Sequence, residues 1–257
     1  MRKNYSKWFL TKVKHAIIDF KMIQDGDKIA VGVSGGKDSV TLLFILNLLK
    51  KWSNFKFEIY PISLDLGFNM DFLPVEQFCR EEGLPYHVEK TDIGKIVFDI
   101  RKEKNPCALC SNLRRGALHE TAIKLGCNKV ALGHHLDDAI ETFFLNLIYT
   151  GQMNTFKPNT YLDRTNLWLI RPMVYLTGET VAAIAKAENL PVVKNPCPAS
   201  GKTKREDIKE VVNYLQKRYP KIKKRFLTAF LKSEKPLWDP KLIPNSFDFM
   251  PMDNGSK

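Results

Sequence analysis

The sequence lacks the features that mark membrane-spanning and secreted proteins. None of its apolar runs approaches the roughly 18 residues that a membrane-spanning helix needs. Residues 1–21 are basic and amphipathic, and they contain neither a continuous apolar core nor a cleavage site. We therefore expect no signal peptide, a cytoplasmic location and no membrane partner.

Cysteine is also scarce, with five in 257 residues. An odd number of cysteines in a chain expected in the cytoplasm argues against a disulfide framework. Cys79 and Cys127 stand alone, as small buried cysteines usually do. Cys107 and Cys110 instead form a C-x-x-C pair, and Cys197 stands between two prolines in a stiff loop. The three could converge, although structural zinc or unconnected thiols would give the same pattern.

The C-x-x-C pair precedes a helix that we predict over residues 112–125. Ser111 is a plausible N-cap for that helix, and Arg114 and Arg115 fall in its first turn. A thiol near a helix N-terminus and two guanidinium groups has its thiolate form favoured. We therefore expect thiolates at Cys107 and Cys110, the form that metal binding and sulfur transfer require.

Positive charge is in excess and is concentrated near the C-terminus. The formal net charge is +12, from 40 basic and 28 acidic residues. Residues 201–235 hold 12 Lys or Arg against 4 Asp or Glu. Such clustering is typical of a nucleic-acid interface. A solvated basic helix face or adhesion to a membrane would give the same clustering.

Predicted strands and helices alternate, which indicates an α/β fold with a doubly wound, mainly parallel sheet of five strands. We predict the strands at residues 28–33, 57–64, 86–89, 129–132 and 167–170, and irregular structure at 94–110. We divide the chain into an N-terminal basic helix (1–27), a central α/β domain (28–200), a basic helical extension (201–235) and a partly disordered tail (236–257).

The stretch SGGKDS at residues 34–39 joins the first predicted strand to the helix after it. Its glycines permit unusual backbone angles, and amide groups at a helix start bind anions. Lys37 adds positive charge, and Asp38 beside phosphates is best explained as a Mg²⁺ ligand. The loop is not a Walker A motif, because Val31 stands at the first glycine of that motif and Asp38 at its serine or threonine. An ordinary glycine-rich turn is the plain alternative.

A second acidic cluster follows the fourth predicted strand, in the stretch LGHHLDDAIET at residues 132–142. Asp137 and Glu141 are four residues apart and share one helix face. In an open parallel sheet this turn can lie beside the first loop, so Asp38, Asp137 and Glu141 could share a Mg²⁺ bound to ATP. Acidic residues that only favour the helix dipole would give the same cluster.

These two stretches and IRPM at residues 170–173 resemble the PP-loop ATP pyrophosphatases over residues 28–200. The resemblance implies an adenine nucleotide alpha hydrolase-like, Rossmann-like fold that cleaves ATP between the α and β phosphates and adenylates an oxygen. It implies Lys37, Asp38 and Asp137 as catalytic residues, with Asp38 and Asp137 as magnesium ligands. The ATP-binding residues that it implies are Ser34, Gly35, Gly36, Lys37, Asp38, Ser39, Leu64, Asp65, Gly133 and His134.

With its C-x-x-C pair and the later stretch NPCP, the chain resembles the TtcA-type tRNA 2-thiocytidine synthetases. This resemblance implies a [4Fe–4S] cluster held by Cys107, Cys110 and Cys197; Ser200 stands where many relatives have another cysteine. The implied reaction adenylates the C2 oxygen of a cytidine at position 32 of the anticodon loop, and a cluster-bound sulfide then attacks C2. The implied partners are tRNA, a sulfur donor such as a cysteine desulfurase, and a second copy in a homodimer.

Four other functions stay open at this point. A tRNA lysidine synthetase would share the PP-loop and the basic surface but would not use three cysteines. A 2-thiouridine synthetase usually adds zinc-binding cysteine pairs at both ends, and this sequence has none there. A small-molecule adenylating enzyme leaves the basic helices unexplained. A non-catalytic RNA-binding or redox-sensing module would not need Lys37, Asp38 and Asp137 intact.

Overall fold

The fold is built on one six-stranded sheet, seen in a computed structural model that describes residues 4–53, 56–102, 106–194, 196–198, 204–232 and 237–239. The strands are β1 (Lys28–Gly32), β2 (Glu58–Asp65), β3 (His87–Lys90), β4 (Lys129–Ala131), β5 (Asn159–Leu162) and β6 (Leu167–Ile170). Their order is β3-β2-β1-β4-β6-β5. Only β5, which pairs with β6, is antiparallel. The predicted α/β, doubly wound and mainly parallel fold is confirmed.

Helices connect these strands and extend the chain beyond them. A π-helical stretch (Ser6–Leu10) continues into α1 (Thr11–Asp19), and a second one (Lys95–Ile100) precedes α4. The α-helices after α1 are α2 (Lys37–Trp52), α3 (Leu73–Glu81), α4 (Pro106–Lys124), α5 (Leu136–Thr150), α6 (Gly178–Ala187), α7 (Lys204–Arg218) and α8 (Ile222–Lys232). Within the described ranges, no helix has both the length and the apolar character needed to cross a membrane.

Two elements differ from the prediction. The sheet has six strands rather than five, because the short edge strand β5, with the sequence NTYL, has no continuous apolar run to reveal it. Residues 94–110 are not irregular throughout, since they contain the second π-helical stretch and the start of α4. Proline fits the first position of a helix, and Pro106 occupies it here.

The strand order places a crevice at the carboxyl end of the sheet. β1 lies between β2 and β4, so the connections that leave β1 and β4 diverge to opposite sides. Ligands of open α/β sheets bind at such a switch point. The loop after β1 and the loop after β4 therefore meet where the sequence predicts nucleotide binding.

Both predicted extensions pack onto the sheet domain. Apolar residues of α1 belong to the main core, together with residues of α2 and α6. At the other end, α7 and α8 pack against α5, with Phe226 and Phe230 against Phe143. The predicted domain boundaries stay predictions, but neither helical extension stands away from the central α/β domain.

The start of the predicted tail is packed rather than disordered. Trp238 is 1% exposed, and its backbone N–H donates a hydrogen bond to the Phe230 carbonyl at 2.8 Å. A buried tryptophan contributes a large apolar area, which explains why this part of the chain is held down. Residues 240–257 lie outside the described residues.

Candidate active site

The loop after β1 is shaped by its glycines and serines. Gly35 has a φ of +76°, and a β-carbon there would overlap the methyl group of Met70. Glycine alone combines this backbone angle with this neighbour. Ser39 Oγ donates a hydrogen bond to the Gly36 carbonyl at 2.9 Å and accepts one from the Ser34 N–H at 3.1 Å. The loop therefore presents the amide groups at the start of α2, an arrangement that suits an anion.

Lys37 and Asp38 form the first charged pair of the site. Lys37 Nζ lies 2.6 Å from Asp38 Oδ1, and both side chains are partly exposed. His135 Nε2 approaches the same oxygen at 3.6 Å. Burial acts to raise the pKa of Asp38, but hydrogen bonds with His135 and Lys37 outweigh it and the pKa is lowered. Asp38 is therefore ionised at neutral pH, as a metal ligand would have to be.

The loop after β4 touches the loop after β1 through Gly133. A β-carbon there would lie 2.8 Å from the Asp38 carbonyl oxygen, so the absence of a side chain allows the contact. Leu64, at the end of β2, lines the same cleft. Asp65 Oδ1 instead accepts a hydrogen bond from the Gly67 N–H at 2.9 Å and shapes the turn after β2.

His134 follows Gly133 and is held between an aromatic ring and a guanidinium group. Its ring centroid lies 5.1 Å from that of Phe156, and its Nδ1 accepts a hydrogen bond from Arg171 Nε at 3.3 Å. Burial, followed by the charge of Arg171, lowers the pKa of His134 to about 4. The imidazole is therefore neutral, with its proton on Nε2.

The two adjacent aspartates at the start of α5 have different surroundings. Asp137 Oδ1 lies 2.6 Å from Lys223 Nζ, and its Oδ2 accepts a hydrogen bond from the Gly178 N–H at 2.9 Å. Both oxygens of Asp137 are therefore engaged by α6 and α8. Asp138 lines the cleft, and its Oδ2 accepts a hydrogen bond from the His135 N–H at 2.9 Å.

The expected sharing of one magnesium ion by three carboxylates has no direct counterpart in these contacts. Glu141 lies 3.8 Å from Arg205 Nε, and burial, followed by the charge of Asp138, raises its pKa. Across the described ranges, no three Asp, Glu, His or Cys side chains are grouped closely enough to hold a metal ion. The magnesium assignment of Asp38 and Asp137 stays a prediction.

The C-x-x-C pair lies inside a helix rather than before one. Because α4 begins at Pro106, Cys107 and Cys110 occupy its first turns, and Ser111 is an internal residue rather than the predicted N-cap. The two arginines that follow are beyond the first turn. The predicted helix start was therefore several residues too late.

Two other thiols, those of Cys107 and Cys197, lie within electrostatic reach of Cys110 at this end of α4. Burial raises the pKa of Cys110, Arg114 acts to lower it, and Cys197 and Cys107 raise it further. The predicted thiolate at Cys110 is therefore wrong for this arrangement, because burial and the other thiols outweigh the arginine. The same interactions place Cys197 near Cys110, although the two are distant in sequence. The cluster assignment of the three cysteines stays a prediction.

The other two cysteines are buried, as predicted. Burial raises the pKa of Cys79 to about 12 and that of Cys127 to about 11. Thiols with such pKa values stay protonated at neutral pH and react poorly. Neither buried cysteine is therefore a candidate for chemistry at sulfur.

A cleft of about 820 Å³ joins these features. One wall is the start of α2, with Ser34, Asp38 and Ser39. Another wall carries Phe156 and Arg171. Ser111 and Pro196, the sequence neighbours of Cys110 and Cys197, also line it, so these two cysteines adjoin the cleft. The cleft can therefore bring a nucleotide, a second substrate and a sulfur site within one space.

A family model described as a PP-loop domain matches residues 7–215. The chain belongs to the PP-loop family. The match covers the sheet, the cleft and all three cysteines beside it. The family resemblance carried by the two loop stretches is therefore confirmed.

Curated relatives of this PP-loop protein are named tRNA-cytidine(32) 2-sulfurtransferase. The one from Geobacter sulfurreducens is 39% identical over 223 residues, which cover 84% of this chain and 86% of the relative. The one from Syntrophotalea carbinolica is 40% identical over 220 residues, covering 83% and 84%. These alignments span most of both chains.

Solved structures share the fold of this PP-loop protein at lower identity. The U34-tRNA thiolase NcsA from Methanococcus maripaludis, solved with its [4Fe-4S] cluster, has a TM-score of 0.70 and 22% identity, covering 86% of this chain and 76% of that one. An NH3-dependent NAD synthetase from Campylobacter jejuni has a TM-score of 0.50 and 16% identity, covering 94% and 90%. Both likenesses support the Rossmann-like architecture.

Four residues of the site were not predicted from the sequence: His135, Asp138, Arg171 and Lys223. Adjacent helix residues point about 100° apart, so the pattern of two aspartates does not tell which one faces the cleft. Arg171 lies in the stretch IRPM, whose pattern alone does not indicate a role for the arginine. Lys223 is one of many lysines in a basic segment, and only the packing of α8 selects it.

Proposed function

We propose that this PP-loop protein is an ATP-dependent tRNA sulfurtransferase that converts the cytidine at position 32 to 2-thiocytidine. The observation that carries the proposal is that the thiols of Cys107 and Cys197 act on that of Cys110, whose neighbour Ser111 lines the same cleft as the loop after β1. ATP chemistry alone and RNA binding alone need no such thiols. Relatives of that name, 38–41% identical, support the same substrate and the same base.

The loop after β1 would bind the phosphates of ATP. Amide groups at the start of α2 face that position. The Lys37 ammonium group, which pairs with Asp38 in the structure, would pair with a phosphate oxygen instead. Asp38, ionised and partly exposed, suits Mg²⁺, which takes one or two carboxylates together with phosphates. Asp137, the second ligand that we propose, would have to release Lys223 to reach the metal.

The reaction that we propose has two steps that balance without an oxidant. The C2 oxygen of cytosine attacks the α phosphorus, an O–P bond forms, and the bond to the bridging α–β oxygen breaks as pyrophosphate leaves. Sulfur at the oxidation level of sulfide then attacks C2, and the C–O bond breaks as AMP leaves with the oxygen. Lys37 and the helix amides would stabilise the charge that develops on pyrophosphate.

We propose that three thiols form the donor set of an iron–sulfur cluster. Cys107, Cys110 and Cys197 would hold it, since thiolates are the usual protein ligands of such clusters. When bound, the cluster would supply an iron without a protein ligand, from which sulfur is delivered. Because no three described side chains stand at metal-binding spacing, the three thiols would draw closer and lose their protons on binding.

The basic extension would bind the tRNA backbone. Residues 211–232 contain no Asp or Glu, and the exposed cations near the α7–α8 corner are Lys217, Arg218, Lys221, Lys224 and Arg225. These helices pack on α5, which begins at the cleft, so a bound RNA would reach the site. A single-stranded loop base can be splayed into such a pocket.

We also propose a cysteine desulfurase as the sulfur donor, a homodimeric assembly and a cytoplasmic location.

The decisive experiment reconstitutes the protein with iron and sulfide under anaerobic conditions and supplies ATP, Mg²⁺ and unmodified tRNA. Nucleoside mass spectrometry should detect 2-thiocytidine, with one pyrophosphate released per thiolated tRNA. Cys110→Ser should abolish the product, whereas Cys127→Ser, at a buried cysteine that does not line the cleft, should keep it. A different thiolated nucleoside would show that the target base is not cytidine 32. Full activity of Cys110→Ser would refute the sulfur site.

A further inference from the structure

Arg171 is a buried cation whose hydrogen-bonding capacity is mostly unused. The side chain is 8% exposed, lines the cleft, and forms no ion pair with a carboxylate in the described part of the chain. Its charged neighbour is Arg115, which together with the larger effect of burial lowers the pKa of Arg171 to about 10. A buried guanidinium without a counter-charge is costly, so its retention points to a ligand.

The guanidinium is held by contacts that leave donors free. Nε donates to His134 Nδ1 at 3.3 Å and Nη1 donates to the Lys157 carbonyl at 2.6 Å. The Phe156 ring centroid lies 4.8 Å from Arg171 Cζ, which fixes the plane of the group. Arginine has five N–H groups, so one on Nη1 and both on Nη2 have no acceptor among the described residues. His134 accepts the N–H of Nε, so the N–H groups on Nη1 and Nη2 stay available to a ligand.

The free donors match one edge of cytosine. Cytosine presents two adjacent acceptors, O2 and N3, whereas uracil presents O2 beside an N3–H donor. A planar pair of N–H groups can bind both acceptors of cytosine and would face an N–H of uracil. O2 has a second lone pair, which stays available for attack on the α phosphorus of ATP.

We propose that Arg171 reads the O2 and N3 edge of the target base and so selects cytidine over uridine. This inference rests on the proposed function and adds to it the residue that determines base specificity. In the proposed function Lys37 and the start of α2 would bind the phosphate groups of ATP, which leaves Arg171 for the base. A site built around hydrogen-bond donors rejects a ligand that lacks the matching acceptor.

The test compares two tRNAs that differ only at position 32, which is cytidine or uridine. Pyrophosphate release gives kcat/KM for each tRNA with wild-type protein, Arg171→Gln and Arg171→Lys. The ratio of the two kcat/KM values should fall about 10- to 150-fold in both variants, the value of one bidentate base contact. Lysine keeps the charge but not the planar pair of donors, so a phosphate-binding role would preserve the ratio in Arg171→Lys and overturn the inference.

Controls separate this inference from folding and from the proposed function. Arg164→Gln changes an exposed arginine of the β5–β6 turn and should keep the wild-type ratio. Should the Arg171 variants not fold, wild-type protein with 3-deazacytidine at position 32, where C–H replaces N3, should lose at least about tenfold in kcat/KM. Full turnover of that tRNA, or an unchanged ratio in Arg171→Gln, overturns the role of Arg171 alone. If wild-type protein released no pyrophosphate with the tRNA that carries cytidine at position 32, the proposed function would be overturned as well.

Discussion

Gly133 sets how closely the loops after β1 and β4 approach each other. A β-carbon there would lie 2.8 Å from the Asp38 carbonyl oxygen and 2.9 Å from its carbonyl carbon, and backbone atoms cannot turn away. We expect Gly133→Ala to displace the start of α2 and weaken ATP binding about tenfold, as overpacking by 1–3 kcal/mol would. Calorimetric titration with ATP measures the effect. Gly116→Ala, in α4 with open space around it, should bind ATP normally and rule out a general effect of alanine.

The charge of Asp38 can be removed without changing the shape of the side chain. Asp38→Asn keeps the side-chain volume but removes the carboxylate that faces Lys37 and His135. We expect tRNA-dependent pyrophosphate release to fall about 100- to 1,000-fold, the usual effect of removing a charge-stabilising group. Iron content after reconstitution should stay at the wild-type level, since Asp38 is not among the charges that act on Cys110. Iron loss would instead give Asp38 a structural role, and Asp163→Asn, on an exposed turn, serves as the control.

At the scale of single elements, α8 carries two neighbouring lysines in opposite environments. Lys223 is 7% exposed and bridges Asp137 and Glu179 at 2.6 and 3.2 Å, whereas Lys224 is exposed. Lys223→Met should destabilise the protein by about 3 kcal/mol, because it leaves Asp137 without its cation. Lys224→Met should change stability by less than about 0.5 kcal/mol but lower the salt slope of tRNA binding by about 1.

Denaturant unfolding and tRNA titrations at several salt concentrations separate these two effects. If both variants lost only tRNA affinity, Lys223 would be a surface cation like its neighbour. If both lost only stability, the α7–α8 corner would not contact RNA. The buried ion pair between Lys223 and Asp137 also ties α8 to the acidic start of α5.

The elements that could be predicted from the sequence are those whose pattern is set locally. Five strands lie within one residue of their predicted ends, because four of them carry apolar runs and the short β3 closely follows the turn at Gly83. The edge strand β5 has only four residues, and its pairing with β6 depends on tertiary contacts. The start of α4 is set by Pro106, at the first helical position, and not by Ser111, the predicted N-cap. Contacts such as those of Asp137 with Lys223 depend on how distant helices pack, which no local pattern records.

At the scale of the whole molecule, segments from the N-terminal and C-terminal extensions meet at one aromatic group next to the cleft. Trp238 packs with Phe20, which precedes β1, and with Phe230 of α8, at centroid distances of 6.1 and 5.2 Å. Its Nε1 donates a hydrogen bond to the Phe156 carbonyl at 2.7 Å, and the two rings stack at 6.5 Å. Phe156 is also the ring that lies against Arg171, so the tail supports the cleft wall indirectly.

Replacement of Trp238 should therefore affect stability and base selection together. We expect Trp238→Ala to cost about 3–5 kcal/mol in the free energy of unfolding, as large-to-small changes of buried aromatic residues do. Because the Phe156 ring would lose its support, the preference for cytidine over uridine should also fall. Trp52→Ala, which removes a tryptophan that is 56% exposed, should cost less than about 1 kcal/mol and keep the preference. Unfolding curves and the two-tRNA assay measure both quantities; a destabilised Trp238→Ala protein with full base selection would show that Arg171 holds its plane without this support.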